Sequence, residues 1–174
     1  MLIGQRAPDA TLRTPDGKTV KLATLMAEQP SVLVFLRGGW CYYCQAQLGQ
    51  LRQIEAALLQ TGYRIIAITG DTPEALKAAP VTDTGYKIYS DVNGEAAQAF
   101  GLSYLALAKH FGAPQLLAQW KKTHGDARPW LPVPAVFLAH RSGLIVYEYV
   151  NIDYQVRLSG EVLLTAARAY AEPK

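Results

Sequence analysis

The sequence predicts an α/β protein with a mixed central sheet. Two apolar runs, 31–37 and 64–70, are rich in β-forming residues and have the pattern of strands buried on both faces. A helical pattern of apolar residues follows each run, over 44–60 and over 71–79. Two further apolar runs flank a turn within 135–150 and predict a hairpin. Strands that alternate with helices before a final hairpin indicate a sheet with parallel and antiparallel strands, covered by helices.

Turn and capping residues delimit the remaining elements. The stretch 10–22 predicts an N-terminal hairpin, because Pro15-Asp16-Gly17 supplies its turn. The stretch 86–101 predicts a short strand, a turn and a short helix, and 160–171 predicts a closing amphipathic helix. The predicted capping residues are Gly62 after the first helix, Thr72 and Pro73 at the start of the second, and Ser159 before the last.

Length and composition are those of a globular protein. With 174 residues, 50% of them apolar and 18% charged, the chain is expected to form one domain over 1–174. The net charge of +3 comes from scattered basic residues, the densest patch being Lys121-Lys122, so we expect no nucleic-acid partner. No stretch reaches the ~20 apolar residues that span a bilayer, and the first residues lack the pattern of a signal peptide. We therefore expect a cytoplasmic protein without a membrane partner.

The segment 102–132 is longer than the alternation of strands and helices requires, and we treat it as an insertion. Their apolar pattern predicts two short helices, 103–111 and 114–122. Three roles stay open for these helices: covering the sheet, roofing the cysteine pair or forming a dimer surface. His110 and His124 lie in the insertion and are interpreted as solvated residues rather than as an acid or base.

The chain contains only two cysteines, Cys41 and Cys44, in the segment "RGGWCYYCQAQL". Cys41 follows a predicted buried strand, and Cys44 falls in the first turn of the next helix. A helix N-terminus carries about half a positive charge and lowers the pKa of a thiol placed there, and Arg37 can add to this effect. We interpret the pair as a redox dithiol that attacks a disulfide or peroxide and then closes to a disulfide.

Other interpretations of the pair are less favoured. A zinc site needs four ligands, and the three histidines, His110, His124 and His140, form no ligand pair at His-x₃₋₅-His spacing. No metal or cofactor is therefore expected. The pair can also be two inert buried residues, or the sulfur of a non-catalytic redox sensor or interaction module.

The cysteine segment "FLRGGWCYYCQAQL" resembles the thioredoxin superfamily, in particular the peroxiredoxin-like AhpC/TSA group with a Cys-x-x-Cys pair. The resemblance extends over nearly the whole chain and implies a thioredoxin fold, a three-layer sandwich with an N-terminal hairpin and a helical insertion at about 102–132. Its other segments are "IGQRAPDATLRTPDGKTVKLATL", "IIAITGDTPEAL", "IYSDVNGEAAQAFGL" and "LPVPAVFLAHRSGLIVYEYV".

The resemblance also implies residues that support the dithiol. Pro134 would be the cis-proline of the superfamily, beside the cysteines. The segment "NIDYQVR" is similar to an Asp-Tyr-x-x-Arg element, which would place Asp153, Tyr154 and Arg157 near the site. The simpler alternative is a local ion pair between Asp153 and Arg157. Trp40 either shapes the surface that meets a partner disulfide or packs on the helix.

The chain departs from the peroxiredoxin pattern Pro-x-x-x-Thr-x-x-Cys. Arg37 replaces the proline, Cys41 replaces the threonine, and Cys44 takes the position of the peroxide-reactive cysteine. Val133-Pro134 stands where a distant arginine usually lies. The thioredoxin pattern instead makes Cys41 the attacking residue. We expect Cys41 to be the more exposed thiolate, Cys44 to resolve the mixed disulfide, and peroxide reduction to be slow because polarising groups are missing.

The expected activity is that of a thiol-dependent oxidoreductase. Cys41 and Cys44 would reduce a disulfide or a hydroperoxide, and a thioredoxin-type or low-molecular-weight thiol would return them to the reduced state. We also consider a homodimer, whose surface the apolar residues of the insertion would form.

Overall fold

The structure, a computed structural model, describes residues 2–79, 85–125 and 129–172. A seven-stranded sheet forms its centre, with the order β2-β1-β5-β4-β3-β8-β9, and β6 and β7 form a separate two-stranded sheet. The strands are β1 Thr11–Arg13, β2 Thr19–Lys21, β3 Ser31–Leu36, β4 Arg64–Thr69, β5 Lys87–Ser90, β6 Ser103–Leu105, β7 Trp130–Pro132, β8 Ala135–Ala139 and β9 Ile145–Val150.

Six α-helices and one 3₁₀ helix lie within the described ranges. They are α1 Leu22–Glu28, α2 Tyr42–Gln60, α3 Pro73–Ala78, α4 Glu95–Ala99, the 3₁₀ helix Ala108–Phe111, α5 Pro114–His124 and α6 Gly160–Ala169. None of these helices is both long enough and apolar enough to cross a membrane.

The central strand β3 makes the sheet mixed, as the sequence predicts. It pairs in parallel with β4, where Val34 lies opposite Ala67, and antiparallel with β8, where Val34 lies opposite Val136. All six residues of β3 are buried. The predicted N-terminal and C-terminal hairpins are also present, as β1–β2 and β8–β9.

Side chains of β3 alternate between two cores on opposite faces of the sheet. Val32, Val34 and Leu36 pack with buried residues of α2 and α6. Leu33 and Phe35 pack with residues of α1 and α4. The sheet is therefore the middle layer of three, which confirms the predicted architecture.

The predicted caps act as expected. The Thr72 hydroxyl accepts a hydrogen bond from the Ala75 N–H at 3.2 Å at the start of α3, with Pro73 as the first helical residue. Ser159 accepts one from the Val162 N–H at 3.3 Å at the start of α6. Gly62, with φ of +92°, follows the last residues of α2 in a conformation that favours glycine.

The insertion differs from its prediction in the first half. Residues 103–105 form a strand, β6, that pairs antiparallel with β7, and only Ala108–Phe111 is helical. The predicted helix over 103–111 is therefore wrong, because β6 satisfies its backbone groups against a strand that is distant in sequence. The second predicted helix, 114–122, is confirmed as α5, which ends two residues later at His124.

Candidate active site

The two cysteines lie where the chain leaves β3 and enters α2, at the carboxyl end of a central strand. Cys41 is the residue before the first turn of α2. The loop is held by two backbone contacts: the Cys41 N–H donates to the Gly38 carbonyl at 3.1 Å, and the Gly39 N–H donates to an Asp71 carboxylate oxygen at 2.6 Å. A side chain at Gly38 would meet the Trp40 indole at 2.3 Å, so only glycine leaves room for that ring.

Both cysteines are free thiols and both are buried. Cys41 is 3% exposed and Cys44 1%. Cys41 is the more exposed of the two, as predicted, but it is still almost completely buried because two arginine side chains approach its sulfur. The backbone N–H of Arg37 donates to the Cys44 sulfur at 3.3 Å and fixes the second thiol against the strand end.

Two guanidinium groups contact the sulfurs. Arg37 Nη1 lies 3.8 Å from the Cys41 sulfur. Arg157 Nη2 lies 3.4 Å from the Cys44 sulfur and 3.8 Å from that of Cys41. Neither arginine forms an ion pair with a carboxylate in the described part of the chain. A buried cation needs an anionic partner, and the anion available here is a cysteine thiolate.

Arg157 is oriented by two hydrogen bonds. Its Nε donates to the Tyr154 carbonyl and its Nη1 to the Gln47 side-chain oxygen, both at 2.8 Å. Gln47 is 4% exposed and lies on α2 one turn after Cys44. The sequence interpretation missed this residue. The sequence offered one clue to Gln47, an amide side chain on the face of the helix that otherwise carries leucines.

The Arg37 side chain is also fixed in position by its contacts, and it is only 3% exposed. Its Nη2 donates to the backbone carbonyl of His110. Its guanidinium lies over two rings, 4.0 Å from the centre of the Tyr154 ring and 5.1 Å from that of Trp40. The peroxiredoxin proline is thus replaced by a cation that the fold directs at Cys41.

The insertion, residues 102–132, covers the cysteine pair. Trp40 stacks on Phe111 of the 3₁₀ helix at 5.3 Å between ring centres, and Phe111 packs against Trp120 of α5 at 6.3 Å. These rings form a small apolar cluster with Leu131 of β7. Of the three roles that the sequence leaves open for the insertion, the contacts favour covering the cysteine pair. Trp40 packs against this cover.

The surroundings of the two thiols shift their pKa values in opposite directions. Hydrogen bonds from the thiol and the backbone N–H of Cys44, followed by the charges of Arg37 and Arg157, lower the pKa of Cys41 from 9.0 to about 5, against the opposing effect of burial. Burial raises the pKa of Cys44 well above its ordinary value. At neutral pH Cys41 is therefore the thiolate and Cys44 the thiol that donates to it.

The low pKa of Cys41 predicts a shifted pH profile of alkylation. In the reduced protein, the iodoacetamide rate at Cys41 should rise through a midpoint near pH 5 and be flat by pH 7. An ordinary cysteine would still gain reactivity with a midpoint near ~8.5. Mass spectrometry of quenched samples measures the rate at each cysteine separately. A midpoint above pH 8 at Cys41 would contradict the thiolate assignment.

Two residues of the predicted supporting set do not act as expected. The described bonds include no cis peptide, so the Val133–Pro134 bond is trans and the expected cis-proline is wrong. The Pro134 carbonyl accepts a hydrogen bond from the Asn151 N–H at 3.2 Å, which continues the β8–β9 pairing beyond Ala135 and Val150. The Asp153 carboxylate accepts from the Gln155 N–H at 3.0 Å within its own loop.

The structure thus brings Arg37, Trp40, Tyr154 and Arg157 to the cysteines. Asp153 makes no ion pair with Arg157 among the described residues, so the simpler alternative of a local pair is not seen. His110 contributes its carbonyl rather than its ring, whose Nδ1 accepts from the Leu107 N–H at 3.0 Å.

The electrostatics of the pair do not suit a metal ion. Two guanidinium groups at the sulfurs repel a cation, and within the described ranges no three His, Cys, Asp or Glu side chains group together. The arrangement instead stabilises a thiolate and any negative charge that forms beside it.

Comparisons with known proteins agree with this geometry. Residues 3–148 match the model of the AhpC/TSA family. A search of curated proteins returned no match. Similar solved structures include peroxidoxin BcpB from Mycobacterium tuberculosis (18% identity, TM-score 0.73, 99% of each chain), reduced Prx3 from Vibrio vulnificus (17%, 0.76, 96% of this chain and 98% of that one) and reduced 2-Cys peroxiredoxin from Plasmodium vivax (15%, 0.69, 97% and 81%).

At these identities the solved structures show the fold, which is the thioredoxin fold. The family match spans most of the chain and includes both cysteines and the strands that position them. The chain therefore belongs to the AhpC/TSA family and is a peroxiredoxin-like, thiol-dependent oxidoreductase.

Proposed function

We propose that the protein is a two-cysteine thiol peroxidase that reduces small hydroperoxides, with Cys41 attacking and Cys44 resolving. One observation carries the proposal. The sulfur of Cys41 is buried and lies 3.8 Å from each of two guanidinium groups that have no carboxylate partner in the described ranges. A single thiolate leaves one of these positive charges uncompensated, ready for the charge that develops as a peroxide bond breaks.

The oxidation step uses the thiolate of Cys41. It attacks the terminal oxygen of a hydroperoxide, so that a sulfur–oxygen bond forms and the oxygen–oxygen bond breaks. The attacked oxygen stays on sulfur with its hydrogen, as sulfenic acid. The other oxygen leaves with the electron pair as an alkoxide, or as hydroxide from hydrogen peroxide, and takes up a proton. Arg37 and Arg157 stabilise the negative charge as it moves from sulfur to oxygen.

The resolving step uses the thiol of Cys44. Its raised pKa keeps it protonated while Cys41 reacts, so the two sulfurs do not compete for peroxide. It then attacks the sulfenic sulfur, its proton joins the departing hydroxyl as water, and a Cys41–Cys44 disulfide forms. Two electrons from a thioredoxin-type dithiol or from two small thiols return both cysteines to the reduced state.

Access to the site favours a small oxidant over a protein disulfide. With 3% of Cys41 exposed beneath the insertion, a hydroperoxide needs little room, whereas a partner disulfide must bring its own sulfur to the buried one. The expectation of slow peroxide reduction assumed a thiolate without polarising groups. Arg157 supplies such a group from the loop before α6, and Arg37 supplies another.

A second candidate is a reductase of protein disulfides. The ordering of the two pKa values supports it, since a low-pKa first cysteine and a protonated second one suit mixed-disulfide exchange. Apolar side chains that are exposed on segments beside the site, Tyr42, Ile152 and Val156, offer contacts for such a partner. A redox sensor without turnover would use the same sulfurs once.

We further propose that the protein works in a reducing compartment, the cytoplasm, because its disulfide must be reduced again in every catalytic cycle. The reductant is proposed to be a thioredoxin-type or low-molecular-weight thiol. Homodimerisation stays a prediction.

The test is a panel of oxidants with the wild-type protein. Hydrogen peroxide and tert-butyl hydroperoxide should be consumed in many turnovers with a dithiol reductant, and faster than the disulfide of insulin is reduced. The rates follow from peroxide consumption and from insulin precipitation, with a reaction that lacks the protein as control. Faster insulin reduction would replace the proposal with the second candidate, and a single turnover would favour the sensor.

A further inference from the structure

We infer that the disulfide form of the protein is reduced by a small thiol that carries a carboxylate. This inference rests on the proposed function and names the class of reductant that completes its cycle. The reason is a change of charge, because oxidation removes the negative charge of the site and leaves both of its guanidinium groups in place.

In the reduced site one negative charge faces two positive charges. The Cys41 sulfur lies 3.8 Å from Arg37 Nη1 and 3.8 Å from Arg157 Nη2. The other hydrogen-bond acceptors of these guanidinium groups are backbone carbonyls and a side-chain amide, none of them charged. Among the residues that the structure describes, no carboxylate pairs with either arginine. The Cys41 thiolate therefore supplies the negative charge that both cations contact.

A carboxylate does reach the cysteine loop, but it binds other groups. Asp71 accepts from the Gly39 N–H at 2.6 Å and from the Thr69 hydroxyl at 2.8 Å. These bonds hold the backbone of the loop, and neither of them involves an arginine. Asp71 therefore positions the loop and does not pair with the two guanidinium groups.

Formation of the Cys41–Cys44 disulfide removes the thiolate and keeps both cations. Arg37 is only 3% exposed, and a buried cation without an anion is costly in free energy. The disulfide form therefore stabilises anions that enter the site. An attacking thiolate brings one negative charge, and a carboxylate on the same molecule brings a second. Two anions then meet two cations.

The insertion that covers the cysteines has a matching charge. Its sequence, 102–132, contains four basic side chains and one acidic side chain: Lys109, Lys121, Lys122 and Arg128 against Asp126. Lys109 is exposed and directly precedes the residue whose carbonyl accepts from Arg37. A surface of one sign raises the local concentration of ligands with the opposite sign. The insertion therefore favours the approach of an anionic thiol.

Burial of the sulfurs favours a small reductant. Cys41 is 3% exposed and Cys44 is 1% exposed. A reductant must bring its own sulfur into contact with one of them beneath the insertion. A small aliphatic thiol needs less room for this than a dithiol fixed in the surface of a protein.

The electrons and protons of the reduction balance. The thiolate of the reductant forms a bond to one cysteine sulfur as the Cys41–Cys44 bond breaks, and the other cysteine leaves with the electron pair. A second reductant thiolate attacks the reductant sulfur of this mixed disulfide and releases the remaining cysteine. The products are the disulfide of the reductant, the Cys41 thiolate and the Cys44 thiol, which takes its proton from solvent.

The test measures how fast matched thiols reduce the disulfide form of the full chain, prepared with diamide. Thioglycolate carries a carboxylate, methyl thioglycolate is neutral and cysteamine carries an ammonium group. Each rate is divided by the rate of the same thiol with the disulfide of mercaptoethanol, which corrects for thiolate content and nucleophilicity. Alkylation of quenched samples and mass spectrometry measure the thiols that are regained.

After this correction thioglycolate should react about 10-fold faster than its methyl ester, and cysteamine should react more slowly than the ester. High ionic strength should reduce the preference, because salt screens the charges. Arg157→Met should lose most of the preference. Any change in how readily the cysteines leave affects both thiols alike and cancels in their ratio. The matched control, Arg168→Met, removes an exposed arginine near the end of α6 and should keep the preference.

Equal corrected rates for thioglycolate and its ester in the wild-type protein would overturn the inference, and so would an undiminished preference in Arg157→Met. Reduction by a thioredoxin but by none of the three small thiols would overturn it as well. A wild-type protein that consumes no peroxide would instead refute the proposed peroxidase, while the disulfide made with diamide would still report the thiol preference.

Discussion

Cys41→Ser should lose peroxide turnover by at least about 10⁴-fold, whereas Cys44→Ser should still reduce one equivalent of peroxide rapidly. The reason is the division of charge between the two sulfurs. Cys41 is the thiolate that the two arginines stabilise, and Cys44 is kept as a thiol by burial. Removal of the first takes away the nucleophile, and removal of the second leaves the sulfenic acid without its resolving partner.

Trapping with dimedone, followed by mass spectrometry, measures the outcome. Cys44→Ser should carry the label on Cys41 after stoichiometric peroxide, and wild type should instead lose two hydrogens as the disulfide forms. The double variant is the control for adventitious labelling. Rapid labelling of Cys44 in Cys41→Ser would assign the attack to Cys44, as the peroxiredoxin alignment does, and would reverse the proposed order.

Local patterns were enough to predict the frame of the fold. The apolar run that became β3 is buried on both faces, so its composition alone marks a central strand. The caps at Thr72 and Ser159 also act within a few residues of their position. Such features depend on neighbours in the sequence and can be predicted from it.

The pairing of β6 with β7 could not be predicted in the same way. Residues 103–105 carry no alternation long enough to distinguish a short strand from a helix. Their strand conformation depends on Trp130–Pro132, which the chain supplies only after α5.

The charge at the site shows another limit of comparing sequences position by position. Val133-Pro134 occupies the position of the usual distant arginine, and the comparison correctly finds no arginine there. A guanidinium can nevertheless reach the same sulfurs from another loop. Arg157 does so from 113 residues beyond Cys44, outside the segment that matches the family. The Asp-Tyr-x-x-Arg element was the one signal in the sequence that indicated this arginine.

Arg157→Met should therefore strongly impair the reaction of Cys41. The variant keeps an apolar side chain of similar length but removes the charge that lies 3.4 Å from the Cys44 sulfur and 3.8 Å from that of Cys41. Loss of a preorganised donor of this kind costs about 10²–10³-fold in rate, and we expect a loss of that size in Cys41 oxidation by hydrogen peroxide. Because a cation near a thiol lowers its pKa, the alkylation midpoint of Cys41 should also rise above pH 5.

The matched control is Arg168→Met, which removes an exposed arginine near the end of α6 without touching the site. Stopped-flow oxidation and the pH profile of alkylation measure both effects on the same samples. The two readouts separate the roles of the charge. A raised midpoint with an unchanged oxidation rate at pH 9, where Cys41 is ionised in both proteins, would limit Arg157 to forming the thiolate. A lower rate at that pH means that its guanidinium also stabilises the charge that passes to oxygen, which is what its position between the two sulfurs leads us to expect.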